Sequence, residues 1–188
     1  MTAYSKDDFK TFRKRVIGII LATDMARHVS DLANFTCLIE QKGVSVGKNQ
    51  EMIIDYTSSK TEFESRQTLI ELIVHAADVS TQVRPFGVAI QWTWLLFQEF
   101  FDQGDREKEQ SLPISFLCDR TTTCISNSQP GFMNFIVVPL FSAIADLCPE
   151  LAPLADNAKN NAKEWADKVE TEEEKKIYMQ NNGKPIKP

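Results

Sequence analysis

Apolar residues return every three or four positions along most of this chain, and the breaks between those runs mark out its elements. Phe9, Phe12, Val16, Ile19, Ile20 and Thr23 share one stripe. They follow Ser5 and Asp8, an N-cap hydroxyl with an acid three residues on, so the pattern predicts a long first helix. Its apolar face continues into residues 20–28, ILATDMARH, where Thr23, Asp24 and His28 interrupt it; these either face solvent or need partners if buried. Residues 29–41 continue as helix, and Gly43 with Gly47 ends it. Residues 48–60 are polar and without a period, which reads as a loop or a frayed short helix.

The next stretch, residues 65–80, organises the rest. In SRQTLIELIVHAADVS an apolar helical run ends in His75 and Asp78, three residues apart and so on one helix face. Thr61 suits the N-cap of this helix, with Glu62 and Glu64 near its positive end. Two readings stand: the pair delivers a metal ligand, or His75 satisfies a core hydrogen bond and Asp78 caps the next helix, since residues 80–85 read as a turn.

Pro85 suits the opening of a further helix over residues 86–103. That helix carries Ile90, Trp92, Trp94, Leu95, Leu96, Phe97, Phe100 and Phe101 and is apolar on nearly every side, which means core or the wall of an apolar cavity. Gly104 stops it, and a charged loop with Pro113 comes next. Residues 116–127 read as a short helix and a polar loop. Residues 128–141, SQPGFMNFIVVPLF, begin an apolar helix that Pro139 should kink. Gln129, just before it, either caps that helix or presents acceptor and donor together to a ligand edge. From Glu150, the residues Leu151, Leu154, Ala158, Ala162, Trp165, Ala166 and Val169 predict an amphipathic closing helix; a solvated charge run at 170–176 and a frayed tail complete the chain. No strand period, repeat or glycine-rich phosphate loop appears, so the expected fold class is all-α.

Composition narrows the function. With 188 residues the chain is long enough for one domain with a core, and 43% hydrophobic with 25% charged residues is ordinary for a soluble globular protein. A net charge of -5 and a pI near 5.1, without a basic stripe, argue against nucleic acid as partner. Cys37, Cys118, Cys124 and Cys148 make no CxxC or zinc spacing and no apolar leader precedes the N-terminus, so a cytoplasmic, reducing setting is expected. The apolar run 132–145 is broken by Asn134, Pro139 and Ser142 and reads as too short for a membrane span.

Four blocks taken in order resemble the C-terminal part of a class I cyclic nucleotide phosphodiesterase catalytic domain: ILATDMARH at 20–28, HAADVS at 75–80, QWTWLLFQEFFDQGDREKE at 91–109 and SQPGFMNFIVVPLF at 128–141. Together they span most of residues 15–170. The resemblance implies roles. Asp78 falls on a metal ligand, zinc as a rule. Gln129 falls on the residue that hydrogen-bonds the purine edge, and Phe132 on the one that stacks on the base. Leu96 falls on the opposite side of the clamp, with Phe100 a turn along, while Thr93, Met25 and Leu117 fall where family members line the pocket. The implied reaction is hydrolysis of cyclic AMP or cyclic GMP to the 5′-monophosphate, with zinc and magnesium activating a bridging water and a histidine protonating the leaving oxygen.

The family's other metal ligands lie in HNxxHA and HD blocks before the ATDM block, and this chain, whose histidines are His28 and His75, does not contain them. No catalytic residue is therefore identified, and one carboxylate does not hold a metal pair. The expectation is a partial catalytic domain over residues 1–177 with a flexible tail at 178–188. It is either the base-binding portion of an enzyme or an inactive binding or regulatory module. Its expected partners are the cyclic nucleotide and either the missing N-terminal half or another copy, meeting through exposed apolar faces. Thr81 and Gln82 stand where the family commonly has Asn-Pro, and Pro130 where an apolar residue is usual. Preference between cyclic AMP and cyclic GMP stays open, because a glutamine amide satisfies either purine by turning over.

Overall fold

The computed structural model describes residues 5–42, 45–46, 52–53, 59–169 and 171. Among the described residues the fold is all-α apart from one antiparallel ladder of two residues a side, β1 (Ser45–Val46) against β2 (Met52–Ile53). That ladder replaces part of the loop or short helix expected over 48–60, and the two glycines read as helix stops lie outside the described residues. The chain divides into two compact units. One comprises residues up to Ser80 with Leu140–Ala152; the other comprises Thr81–Pro139 and the chain from Pro153.

In the first unit, α1 (Lys6–Leu21) starts as its sequence dictates: Ser5 Oγ accepts the Asp8 backbone N–H at 3.1 Å and donates to the Asp8 carboxylate at 2.7 Å. The helix does not run on as expected. Thr23 turns its hydroxyl back to the Ile20 carbonyl at 2.9 Å, and the Asp24 carboxylate takes the Ala26 N–H at 2.9 Å, capping a 3-10 turn over Met25–Arg27. Short polar side chains that bond nearby backbone compete with helix continuation, and here they win. α2 (His28–Lys42) and α3 (Ser59–Asp78) follow. α3 begins two residues before Thr61, which is thus inside the helix and not its cap. Ala22, Phe35, Leu69, Leu72 and Ala76 are buried in this unit, whereas Phe9, Phe12 and Ile20 on the α1 stripe remain largely exposed.

The second unit opens with the 3-10 turn Ser80–Val83, of which it holds Thr81 onward, and Pro85 leads into α4 (Phe86–Glu109). Ala89, Thr93, Phe97 and Phe101 are buried at four-residue spacing, so the helix that reads as apolar all round buries one ridge and leaves Trp92, Leu95 and Leu96 exposed. α4 passes straight through Gly104. This glycine is needed for contact and does not end the helix: a Cβ there would run into the Cys118 carbonyl oxygen. Residues 110–124 form a non-helical strap, so the short helix expected from Phe116 is absent. Asp119 instead holds a turn by accepting the Thr121 N–H at 2.9 Å and hydroxyl at 2.6 Å.

A continuous rod, Ile125–Leu147, comes next, made of α5 (Ile125–Phe132), a π turn over Met133–Val137 and α6 (Val138–Leu147). Gln129 and Pro130 lie inside α5, not ahead of it. The irregularity expected at Pro139 takes the form of the π turn, with the Val138 N–H bonded to the Met133 carbonyl. A proline ring clashes with the carbonyl four residues back, and widening the preceding turn relieves that clash. At 23 residues, with an 18-residue stretch of mean hydropathy 1.5, the rod is long and apolar enough to cross a membrane, contrary to the length read from its interrupted sequence. Ile125, Met133, Val137, Leu140, Phe141 and Ile144 on it are nonetheless buried in protein.

α7 (Ala152–Asp167) buries Ala155, Ala158, Ala162 and Trp165. It also clamps the chain before α4: Asn161 Nδ2 donates to the Gln82 and Arg84 carbonyls, each at 2.8 Å, and Asn157 Nδ2 to that of Val83 at 3.0 Å. Val169 lies past the helix end and is exposed, so the apolar repeat stops sooner than expected. The charge run, apart from Thr171, and the tail lie outside the described residues.

Gly104→Ala should lower unfolding free energy by about 1–3 kcal/mol, the usual penalty for forcing a methyl into a filled contact. Gly87→Ala, whose Cβ would meet nothing within 4 Å, should be neutral or stabilising. Urea unfolding of both variants checks this; equal effects would mean Gly104 is not a contact glycine.

Candidate functional site

Two of the assigned base-site residues, Phe100 and Leu117, pack on an aromatic cluster in the second unit. Phe97, Phe101 and Ile125 are almost fully buried, and Trp94, Phe100 and Leu117 pack against them. Phe97 meets Phe100 and Phe101 edge-on, with centroids 5.5 and 5.8 Å apart. The cluster therefore joins α4, which carries Leu96 and Phe100, to the strap, which carries Leu117, and to the first residue of α5, which carries Gln129 and Phe132. Leu96 is 42% exposed and Phe132 half-buried, so both keep free surface.

Gln129 is the polar member. It is only 5% exposed, three residues before Phe132 on the same helix face. Its Nε2 donates to Ser128 Oγ at 3.1 Å, Ser128 Oγ in turn donates to the Ile125 carbonyl at 2.7 Å, and the Gln129 Oε1 accepts no hydrogen bond among the described residues. An amide with its acceptor unspent in a largely apolar setting suits recognition of a donor on a flat ligand.

Thr93 lies inside the core. It is fully buried, with its hydroxyl donating to the Ala89 carbonyl at 3.1 Å and accepting from Gln82 Nε2 at 3.2 Å, so both hydrogen-bonding functions are used inside the core. Gln82 Oε1 is buried without a partner among the described residues. A groove on the outer side of α4, between Leu95, Gln98, Asp102 and Arg106, holds none of the assigned residues.

Asp78 and Met25 belong to the first unit. Asp78 is the last residue of α3, exposed, and makes no hydrogen bond or ion pair among the described residues. Met25 is exposed in the 3-10 turn. No cluster of three or more His, Cys, Asp or Glu side chains exists among the described residues. One exposed carboxylate does not make a zinc or magnesium site, so the residues present do not fit the metal pair by themselves.

His75 takes the core role that its sequence left open. His28 Nδ1 and His75 Nε2 are 2.9 Å apart, both rings are buried, and the other nitrogens, His28 Nε2 and His75 Nδ1, have no partner among the described residues. One ring donates and the other accepts, which requires at least one neutral imidazole. Burial lowers the pKa of both; the His75 charge lowers His28 further, while Asp31 raises both and Asp78 raises His75. The sequence reading missed this pairing, and also the roles of Asn161 and Arg120. His28, a polar break in an apolar stripe, was the available signal.

The chain is similar to known proteins. The family model described as 3'5'-cyclic nucleotide phosphodiesterase matches residues 1–158. A 3',5'-cyclic-AMP phosphodiesterase, isoform F, of Drosophila melanogaster is 38% identical over 157 residues, covering 83% of this chain and 22% of that protein. The solved structure of LmjPDEB1 in complex with IBMX superposes with a TM-score of 0.68 at 27% identity, over 87% of this chain and 45% of that one. The phosphodiesterase domain of a RhoPDE fusion protein from the choanoflagellate Salpingoeca rosetta gives 0.67 at 26% identity, over 96% and 51%. The chain thus spans about a fifth of the curated relative and about half of the solved ones.

Folded-state pKa values below 6.5 for His28 and His75 mean that the unfolded chain binds more protons just below that pH. Stability present at pH 7 should therefore fall as pH drops through 6.5 toward the lowered values. Urea midpoints measured from pH 7.5 to 5 should decline, and less steeply in His28→Gln. A midpoint that climbs on acidification contradicts the buried neutral pair.

Proposed function

Because the chain belongs to the 3′,5′-cyclic nucleotide phosphodiesterase family, we propose that it forms the purine-binding portion of a domain that hydrolyses a cyclic nucleotide to its 5′-monophosphate. The observation that carries this reading is Gln129, a buried amide with an unspent acceptor, one helical turn from the half-buried ring of Phe132. In this reading Gln129 reads the purine edge, Phe132 stacks on one face, and Leu96 with Phe100 and Leu117 supplies the apolar opposite wall. Relatives named as cyclic-AMP phosphodiesterases favour cyclic AMP over cyclic GMP as the ligand.

Asp78 is proposed as one metal ligand in a site completed by groups outside the described residues. Water activation and leaving-group protonation are then not assigned to any described residue. Residues 1–177 form the domain portion in this reading. The free thiols of Cys118, Cys124 and Cys148 support a reducing, cytoplasmic setting.

A second reading, a binding or regulatory module, is favoured by the lone candidate carboxylate at Asp78. The two separate by assay: turnover of cyclic AMP with added zinc and magnesium supports the enzyme, and binding without turnover supports the module.

Calorimetric titration of the chain with cyclic AMP should give an affinity that drops roughly 10- to 100-fold in Gln129→Ala, the cost of about 1–3 kcal/mol for hydrogen bonds lost in a desolvated site. Asp78→Ala should leave base affinity nearly unchanged. Equal affinity in Gln129→Ala removes the purine-reading role.

A further inference from the structure

Leu117 has φ of 63°, in the left-handed region that a branched apolar residue adopts only when its surroundings impose it. Three fastenings impose it. Immediately after it, Cys118 lies against the bare backbone of α4 at Gly104, and its N–H closes a turn onto the Ser115 carbonyl at 3.0 Å. Two residues before it, Ser115 is held by Glu107, whose carboxylate accepts the Ser115 backbone N–H at 2.7 Å and hydroxyl at 2.6 Å. Three residues after it, Arg120 grips Asp105 with two parallel bonds, Nη2 to Oδ2 at 2.6 Å and Nε to Oδ1 at 3.2 Å, and reaches Asp102 at 3.2 Å.

Arg120 is more than a surface tie. Its side chain is 12% exposed, and its guanidinium sits 5.5 Å from the centroid of Phe101, a member of the cluster on which Leu117 packs. A two-pronged grip of this kind needs the planar guanidinium; a lysine cannot reproduce it. The Ser115 hydroxyl and N–H and the Gln103 amide hold the Glu107 pKa below the ordinary carboxylate value.

We propose that Arg120 and Glu107 are positioning residues for the base site: they fasten residues 110–124 to the last turns of α4 and so hold Leu117 in its left-handed conformation against the aromatic cluster. Neither touches the nucleotide. The inference rests on the purine-binding reading above. Opening of the strap takes Leu117 out of the pocket wall, and apparent affinity then scales with the fraction of molecules in which the strap is closed.

The test uses the full chain with cyclic AMP as probe, in Arg120→Met, Arg120→Lys and Glu107→Gln. Affinity is measured by calorimetry and local opening by amide hydrogen exchange. The expected result is faster exchange at residues 115–118, with α7 amides unchanged, together with affinity weakened roughly five- to tenfold in Arg120→Met. Arg120→Lys should be only partly rescued. A strap that opens without loss of affinity, or one that stays closed in both Arg120→Met and Glu107→Gln, overturns the inference alone. Wild-type chain that binds no cyclic AMP overturns the purine reading and this inference together. If Arg120→Met fails to fold, Glu107→Gln decides by the same two readouts, since its bonds lie near the surface.

Discussion

The second unit depends on one close approach. The carbonyl of Cys118 passes so near the α4 backbone that position 104 admits no side chain beyond hydrogen, and that contact lets a 15-residue non-helical segment lie along a helix without leaving its turns unsupported. Everything distal depends on it. α4 continues five residues beyond the glycine and offers Asp105 and Glu107 to the strap, the strap returns Ile125 to the aromatic cluster, and α5 then starts where its glutamine and phenylalanine come one turn apart on a single face.

Polar groups inside the core show where the fold spends hydrogen bonds. Asn161 donates to two backbone carbonyls of the turn before α4, which would otherwise be stranded beside a helix of small residues. Thr93 and Gln82 satisfy each other in part, leaving one amide oxygen without a partner. His28 and His75 do the same in the first unit and leave a ring nitrogen bare on each side. Such half-satisfied pairs tolerate burial only while neutral, and both histidines form part of the core of that unit.

The proposed binding and metal roles make different demands on the fold. A purine is recognised by a flat apolar slot with one amide, and the second unit brings Leu117, Phe100 and the α5 face that carries Gln129 to one cluster. A divalent metal needs several anionic or imidazole donors converging on a point, and Asp78 at the tip of α3 offers one. The chain belongs to the 3′,5′-cyclic nucleotide phosphodiesterase family and spans about half of each solved relative.

Local pattern was sufficient for the helical class, for the Ser5 cap and for the family, because each rests on residues adjacent or one turn apart: the stripe of α1, the i, i+3 pair of His75 and Asp78, and four short blocks in order. It misjudged where elements stop. Gly104 reads as a helix end and is a contact; the first helix reads as running on past Thr23 and Asp24, and these two end it; Gln129 reads as standing just before its helix and lies inside it. In each case the deciding atom comes from elsewhere or from a backbone competition that spacing does not weigh: a carbonyl 14 residues on, a side chain turned to its own backbone, a strap that moves the helix start to Ile125. Periodicity reports which face a residue shares, whereas the tertiary structure alone decides what presses against that face, because close approach and pairing are properties of segments distant in the chain.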